Sequence, residues 1–293
     1  MNIVNREPIL EGWSKDKKYC ITNEKGERFL LRVSDLTQYA EKQSEFMMMQ
    51  RIASLGIPMC VPVEFGTCEE GVYSIQSWIN GENAEKRIPF LPGTEQYNYG
   101  IEAGQILRRI HSIPAPDSQE DWAVRFNRKM DTKIRKYTEC PIKYPKGQVF
   151  IDYINAHRYL LNGRPQSYQH GDYHIGNMMI DDHGRLCVID FNRNDYGDPW
   201  EEFNRIVWCV QKSFLFASGM VDGYFDNDVP DDFWKLLALY ISSNTLSSVY
   251  WAIPYGETKV ETMLNQAKDV LTWFDDMNRL IPTWYTHDKT ADQ

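Results

Sequence analysis

No run of 18 uninterrupted apolar residues occurs in this chain of 293, so no membrane-spanning helix is expected. Its six cysteines, Cys20, Cys60, Cys68, Cys140, Cys187 and Cys209, form no C-x-x-C pair and no zinc-like spacing, which excludes a dithiol redox motif and a zinc finger. Cys187 and Cys209 lie in apolar runs and read as small buried hydrophobes. An excess of positive charge is also missing. The net charge of −9 argues against a nucleic-acid partner held through its phosphates. The opening "MNIVNREPILEGW" has no basic stretch leading into an apolar one, so no secretory leader is read there, and a soluble cytoplasmic protein is expected. Glycine is scarce where a phosphate loop would need it, since "LEGWSKDKKY" has Gly12 alone. Internal repeats and low-complexity tracts are absent.

The charge that is present is uneven. From Tyr196 onward 15 Asp/Glu stand against 7 Lys/Arg, a net of −8, and the first 195 residues supply the other −1. A cationic substrate on the C-terminal part would explain this, and so would a solvated acidic surface. Organisation shifts along the chain as well. "KYCITNEKGERFLLRV" is two apolar runs around a Glu-Lys-Gly turn, a hairpin signal. "TQYAEKQSEFMMMQRIASLG" has helical periodicity with Phe46, Met49, Ile52 and Ala53 on one face and Gly56 as its stop. Two strands around "CEEG" follow. After "NGEN" comes a helix stopped by Pro114, a polar segment 115–165 with no clear pattern, a short β-rich "RLCVIDF", and helical periodicity from Trp200 to the end. A small β-rich part with one helix followed by a larger helical part is the architecture this pattern suggests.

Between the two parts lies "SYQHGDYHIGNMMI". Phosphoryl transfer from a nucleotide needs a carboxylate to orient or deprotonate the acceptor hydroxyl, and oxygen ligands for magnesium, one of which can be an Asn amide. Asp172, Asn177 and Asp190 have the spacing of the protein-kinase catalytic loop and its following Asp-Phe-Gly. Here the second motif is "IDFN", with Asn192 in place of glycine, and no Ala-Pro-Glu follows, which sets the chain apart from protein kinases. A zinc or iron site from His170, Asp172 and His174 is an alternative by ligand type. "HGD" taken alone is a common turn.

These residues, taken in order, resemble the aminoglycoside phosphotransferase family of kinase-like small-molecule kinases. His170, Gly171, Asp172 and Asn177 match its His-Gly-Asp and Asn signature, with His174 and Gly176 inside it. Ile189-Asp190-Phe191 and Gly197-Asp198-Pro199 match its later motifs, and Ile110-His111-Ser112-Ile113-Pro114 its helix end. The resemblance spans roughly residues 10–210. It implies an α+β, bilobal protein-kinase-like fold: a nucleotide-binding lobe at 1–76, a linker at 77–81 and a helical lobe with catalytic loop and acceptor site at 82–293. By the same resemblance Asp172 is the base, and Asn177 and Asp190 hold Mg²⁺. The strand cation that grips the nucleotide's phosphates falls on Arg32, with Glu45 as its helix partner; an Arg on an exposed hairpin face is the plainer reading. Ser14 would donate to phosphate, Gln76 would line the back of the pocket, and the backbone of Ser77 and Ile79 would meet the base of ATP or GTP. The expected partners are thus a nucleoside triphosphate and a small-molecule acceptor, an aminated or antibiotic one by resemblance and C-terminal acidity, or a metabolite of choline, homoserine or sugar type. A non-catalytic nucleotide-binding protein of this fold is the further alternative. Trp200, Glu201, Glu202, Asp222, Asp226 and the loop "DGYFDNDVPDD" are candidates for acceptor contact, although helix packing claims many of the same aromatics.

Overall fold

The computed structural model describes residues 2–10 and 16–287. The chain forms two compact units, Met1–Ala84 with Asn177–Asn192, and Glu85–Gly176 with Arg193–Gln293.

The smaller unit is built on a five-stranded antiparallel sheet. Its strands are β1 (Ile3–Ile9), β2 (Lys17–Asn23), β3 (Arg28–Ser34), β4 (Pro62–Cys68) and β5 (Gly71–Ser77), in the order β1-β2-β3-β5-β4. Helix α1 (Tyr39–Ala53) buries Phe46, Met49 and Ile52, the expected face. Gly56, at φ +68°, follows that helix in the left-handed region expected of a stop. Ile21, Leu31, Val33 and Ile75 form the sheet's core, with Tyr19, Phe29 and Tyr73 packed against them. Each such buried aliphatic contributes about 1.5–3 kcal/mol. Strand β1 carries no alternation in burial and was not legible; as an edge strand pairing only with β2 it tolerates Pro8. A second sheet joins β6 (Gly81–Asn83) to β8 (Met178–Asp181) and β9 (Leu186–Val188). This pairing draws 177–192 into the first unit, whereas the sequence reading assigned the whole of 82–293 to the helical part. The reason is backbone hydrogen bonding between segments nearly a hundred residues apart, which no local pattern announces.

The larger unit is helical. The one-turn α2 (Ala84–Arg87) leads into α3 (Gly93–Ile110), α4 (Trp122–Glu139) and α5 (Gly147–His157). Strands β7 (Ser167–Gln169) and β10 (Asp195–Gly197) pair antiparallel, and α6 (Ile206–Val210), α7 (Phe214–Phe225), α8 (Asp231–Ala252) and α9 (Glu257–Trp273) follow. The helical run expected from Trp200 is broken into a 3₁₀ turn at Glu201–Arg205, α6 and α7, with Ser213 capping α7 by accepting from the N–H of Phe216 at 2.9 Å. The unassigned segment 115–165 holds α4 and α5. In α4 the apolar residues Trp122, Phe126 and Met130 are buried at i, i+4 spacing among Arg and Lys. Helices α3 and α7 pack backbone to backbone: a Cβ at Gly104 would lie 2.1 Å from the carbonyl oxygen of Met220, and one at Gly219 would lie 2.1 Å from that of Tyr97. Small residues on both helices permit this approach. Among the described residues no helix is long and apolar enough to cross a membrane.

Candidate active site

In the smaller unit the central strand β3 carries Arg32, which is 9% exposed. Its Nε donates to Asp16 at 3.3 Å and its Nη1 to Asp190 at 3.0 Å, while among the described residues the buried Nη2 finds no partner. Burial opposes the charge on Arg32, but Asp190 and Asp16 outweigh it and hold its pKa above the ordinary value. Ser34 donates to Asp16 at 2.8 Å, and Lys42 stands 3.6 Å from Asp16 and 3.1 Å from Glu45. The expected Arg32–Glu45 ion pair is therefore not formed. Glu45 pairs with Lys42, one turn before it on α1, because Asp16 and Asp190 already occupy the guanidinium. Burial raises the pKa of Glu45, with Lys42 opposing. Arg32, Glu45 and Gln76 line one small cavity of about 30 Å³ with Phe191 and Asn192. Asp190 itself adopts φ +68°, the left-handed region, where a non-glycine residue stores about 1–3 kcal/mol. Asn177 begins the same segment, and its carbonyl accepts from the N–H of Ile189 at 3.0 Å.

The remaining nucleotide candidates divide. Gln76 is buried on β5, its amide donating to the sulfur of Met49 at 3.6 Å. Both the N–H and the hydroxyl of Ser77 bond the backbone of Val61, at 2.8 Å each, so that N–H is not available to a base. Ser77 and Ile79 border a pocket of about 410 Å³ lined also by Met59, Trp78 and His183. Ser14 lies outside the described residues.

In the larger unit "HGDYHIG" is pinned from several sides. Gly171 has φ +85°, and a Cβ there would stand 1.8 Å from the carbonyl oxygen of Arg193, so only glycine fits. Its N–H donates to Glu202 at 2.9 Å. Glu202 is 2% exposed, lies 3.7 Å from Nε2 of His111 at the end of α3, and keeps its pKa below the usual range. Burial works against that ionisation and is outweighed first by His111, then by His170. His170 is fully buried, and its Nδ1 accepts the N–H of Asp172 at 3.3 Å. Tyr173 donates to the carbonyl of Ala103 on α3 at 2.7 Å. Behind the loop Asp198, also fully buried, takes a two-pronged bond from Arg164 at 2.6 and 2.9 Å, a Tyr240 hydroxyl at 2.6 Å and the N–H of Trp200 at 3.0 Å. Asp198 thus combines a local turn contact to Trp200 with a buried ion pair.

Asp172 emerges from this scaffold with a side chain 16% exposed. Arg205 lies 3.3 Å away, Arg193 3.4 Å and His174 3.7 Å. Burial favours its protonated form, yet Arg205, then His174 and Arg193, hold its pKa below the ordinary aspartate value. His174 is pushed down to about 4, mainly by burial, and is neutral at pH 7. Its Nδ1 accepts from the N–H of Gly176 at 3.1 Å, and among the described residues no three His, Cys, Asp or Glu are gathered as a metal site.

The model of the phosphotransferase enzyme family matches this chain over residues 5–234. The chain belongs to that family. Solved structures similar to this phosphotransferase include a thermostable aminoglycoside phosphotransferase APH(4)-Ia in ternary complex with ADP and hygromycin B, at 16% identity and a TM-score of 0.66, covering 92% of this chain and 94% of that one. A choline/ethanolamine kinase family protein from Mesorhizobium loti matches at 13% identity and a TM-score of 0.67, covering 94% and 91%. An aminoglycoside phosphotransferase from Alicyclobacillus acidocaldarius matches at 12% and 0.58, covering 96% and 91%. No match is found among the curated proteins. The phosphotransferase therefore has the mixed α+β, kinase-like fold of these enzymes, with an N-terminal antiparallel sheet and a larger helical part. The residues that sequence reading missed as site builders are Asp16, Arg193 and Arg205. Asp16 and Arg193 sit beside motifs without belonging to them, and Arg205 was hidden in a run read as helix.

Proposed function

We propose that this phosphotransferase moves the γ-phosphoryl group of ATP or GTP, with Mg²⁺, to a hydroxyl of a small molecule. The observation that carries the reading is Asp172, held ionised by cations on a loop whose backbone is fixed by Gly171, His170 and Glu202. Asp172 orients the acceptor O–H and takes its proton as the new O–P bond forms. The bond between Pγ and the β–γ bridging oxygen breaks, and the nucleoside diphosphate leaves with the electron pair. Because the transition state is loose, a carboxylate with a low pKa suffices, and positioning and charge neutralisation supply most of the rate.

The 1–76 segment is the nucleotide-binding lobe in this reading, with 77–81 as linker and 82–293 carrying catalytic loop and acceptor site. Arg32, whose buried Nη2 has no partner among the described residues, suits a phosphate oxygen. Asn177 and Asp190 offer an amide and a carboxylate oxygen, the hard donors that magnesium takes. Bound there, the ion would neutralise charge on the donor's phosphates. The local charge fits a cation: Asp16, Glu45 and Asp190 outnumber Arg32 and Lys42.

Likeness to the hygromycin B complex favours an aminated or antibiotic acceptor. The acidic side chains that suggested one have other work. Asp222 is buried and accepts from Tyr97 at 2.5 Å and Tyr285 at 2.6 Å, Asp226 pairs with Arg108, and Asp232 accepts from Lys235 at 2.9 Å. Glu202 is the anchor of Gly171.

The test is incubation of the full chain with Mg²⁺ and ATP, then GTP, against a panel of alcohols, with mass spectrometry for gain of one phosphoryl group. Product formed by the native chain and lost in Asp172→Asn is the expected result. Nucleotide bound without any turnover would overturn it in favour of a non-catalytic nucleotide-binding protein.

A further inference from the structure

The surroundings of Asp172 are basic. Two guanidiniums, Arg205 at 3.3 Å and Arg193 at 3.4 Å, share this one carboxylate. On α4, one turn apart, Lys129 reaches Glu201 and Lys133 lies within the electrostatic reach of Lys129, Glu201 and Arg205. Lys129 lies 3.7 Å from Glu201, whose other oxygen accepts from Gln169 at 3.2 Å. Lys133 is half-buried and, among the described residues, makes no hydrogen bond or ion pair. Burial is the main cause that pushes its pKa down to about 7, with Lys129 and Arg205 adding to the fall and Glu201 opposing it. Arg193, Arg205, Lys129 and Lys133 thus stand against Asp172, Glu201 and the buried Glu202 beneath Gly171, four basic groups to three acidic ones, while His174 is neutral.

The two arginines that keep Asp172 ionised also lower its basicity. For the fold alone the arrangement is unfavourable, because a desolvated lysine beside like charges stores electrostatic energy. Both features are accounted for by a ligand that brings negative charge of its own. A cationic acceptor would add to the imbalance.

We propose that the acceptor hydroxyl belongs to a small anionic molecule, whose carboxylate or phosphate group is received by Arg193, Arg205 and Lys133 beside Asp172. The proposal rests on the phosphoryl-transfer reading and refines it: the acceptor is an acid rather than an amine. When the acid binds, its charge takes up the guanidinium that Asp172 otherwise holds, and the freed carboxylate becomes a better acceptor for the hydroxyl proton. The same event favours the protonated form of Lys133.

The test uses one carbon skeleton at four charges, D-gluconate, D-glucose, D-glucosamine and D-glucose 6-phosphate, with the full chain. Binding is measured by thermal shift with saturating Mg²⁺–ADP, which fills the donor's place and removes its phosphates as competitors for the arginines. Turnover is measured with Mg²⁺–ATP by mass spectrometry, and release of inorganic phosphate without any acceptor reports transfer to water. The expected result is at least a tenfold preference for gluconate or the sugar phosphate over the amine in binding or kcat/KM. Gluconate and the sugar phosphate separate the carboxylate from the phosphate source. K133E should shift the acid-to-amine ratio by more than tenfold toward the amine, and K133Q should raise the KM of the acid more than that of ATP, neither of which a purely structural lysine would do. A ratio at or below one, or a series flat in both binding and turnover, overturns the proposal while hydrolysis of ATP leaves the phosphoryl-transfer reading standing. Absence of all nucleotide turnover removes that reading, and the anionic acceptor with it.

Discussion

Two polar clusters of this chain use the same chemistry with opposite balance. Around Arg32 the carboxylates of Asp16, Asp190 and Glu45 exceed the two cations. Around Asp172 the cations exceed the carboxylates. Each imbalance is a statement about what is to be bound, because an uncompensated charge in a half-buried site is unfavourable until its counterion arrives. The acidic cluster suits a divalent cation. The basic one suits an anion. A likeness in overall fold to an aminoglycoside phosphotransferase does not carry that local sign with it, since a handful of side chains decides it.

The comparison breaks first at Asp172. Asp172→Asn removes the carboxylate and keeps the shape; the expected loss in kcat is about 10²–10⁴, with circular dichroism and Tm close to native. Gly171→Ala attacks the scaffold instead. The added methyl meets the Arg193 carbonyl at 1.8 Å in a left-handed backbone, and roughly 2–4 kcal/mol of stability should be lost, read by urea unfolding.

Asp190→Ala tests the acidic cluster, and a Mg²⁺ titration of nucleotide turnover should show activation weakened on the order of tenfold to a hundredfold. The same variant leaves Arg32 with Asp16 alone, so the KM for ATP should change with it.

Glu202 supplies a smaller effect with a definite sign. Its pKa is depressed in the folded chain, so it contributes stability that is fully present above the ordinary glutamate value, about 4.3, and is lost as the pH falls through the lower folded one. Glu202→Gln should lower Tm at pH 7 and flatten the acid limb of a Tm–pH profile. The alkaline range belongs to Lys133. Between about pH 7 and the ordinary lysine value the unfolded chain binds the extra proton, so stability rises with pH across that window. Lys133→Met should remove that slope, and an anionic ligand at Arg205 should reduce it in the native chain.

Several features needed no structure. The hairpin, α1 with its buried face and the order of motifs from Gly171 to Asp198 were all legible, because each rests on local periodicity or on residues close in sequence. Helix α4 was missed although Trp122, Phe126 and Met130 repeat every four residues, since the intervening Arg and Lys residues mask a narrow apolar stripe. The close packing of Gly100 and Gly104 on Gly219 and Gly223 was also present in the sequence as two G-x-x-x-G spacings, but nothing local shows that the two meet.

What the sequence determined by itself was the chemistry on offer: an Asp, an Asn and a second Asp at phosphotransferase spacing, set between a β-rich and a helical part. What tertiary structure alone decided was the partners of each charge. Arg32 took Asp16 and Asp190 instead of Glu45, Glu202 turned inward to hold Gly171, and Arg205 and Arg193 gathered at Asp172. Net charge counts residues regardless of position, whereas electrostatic energy falls with distance and grows with burial. A chain of net charge −9 can for that reason hold a basic site.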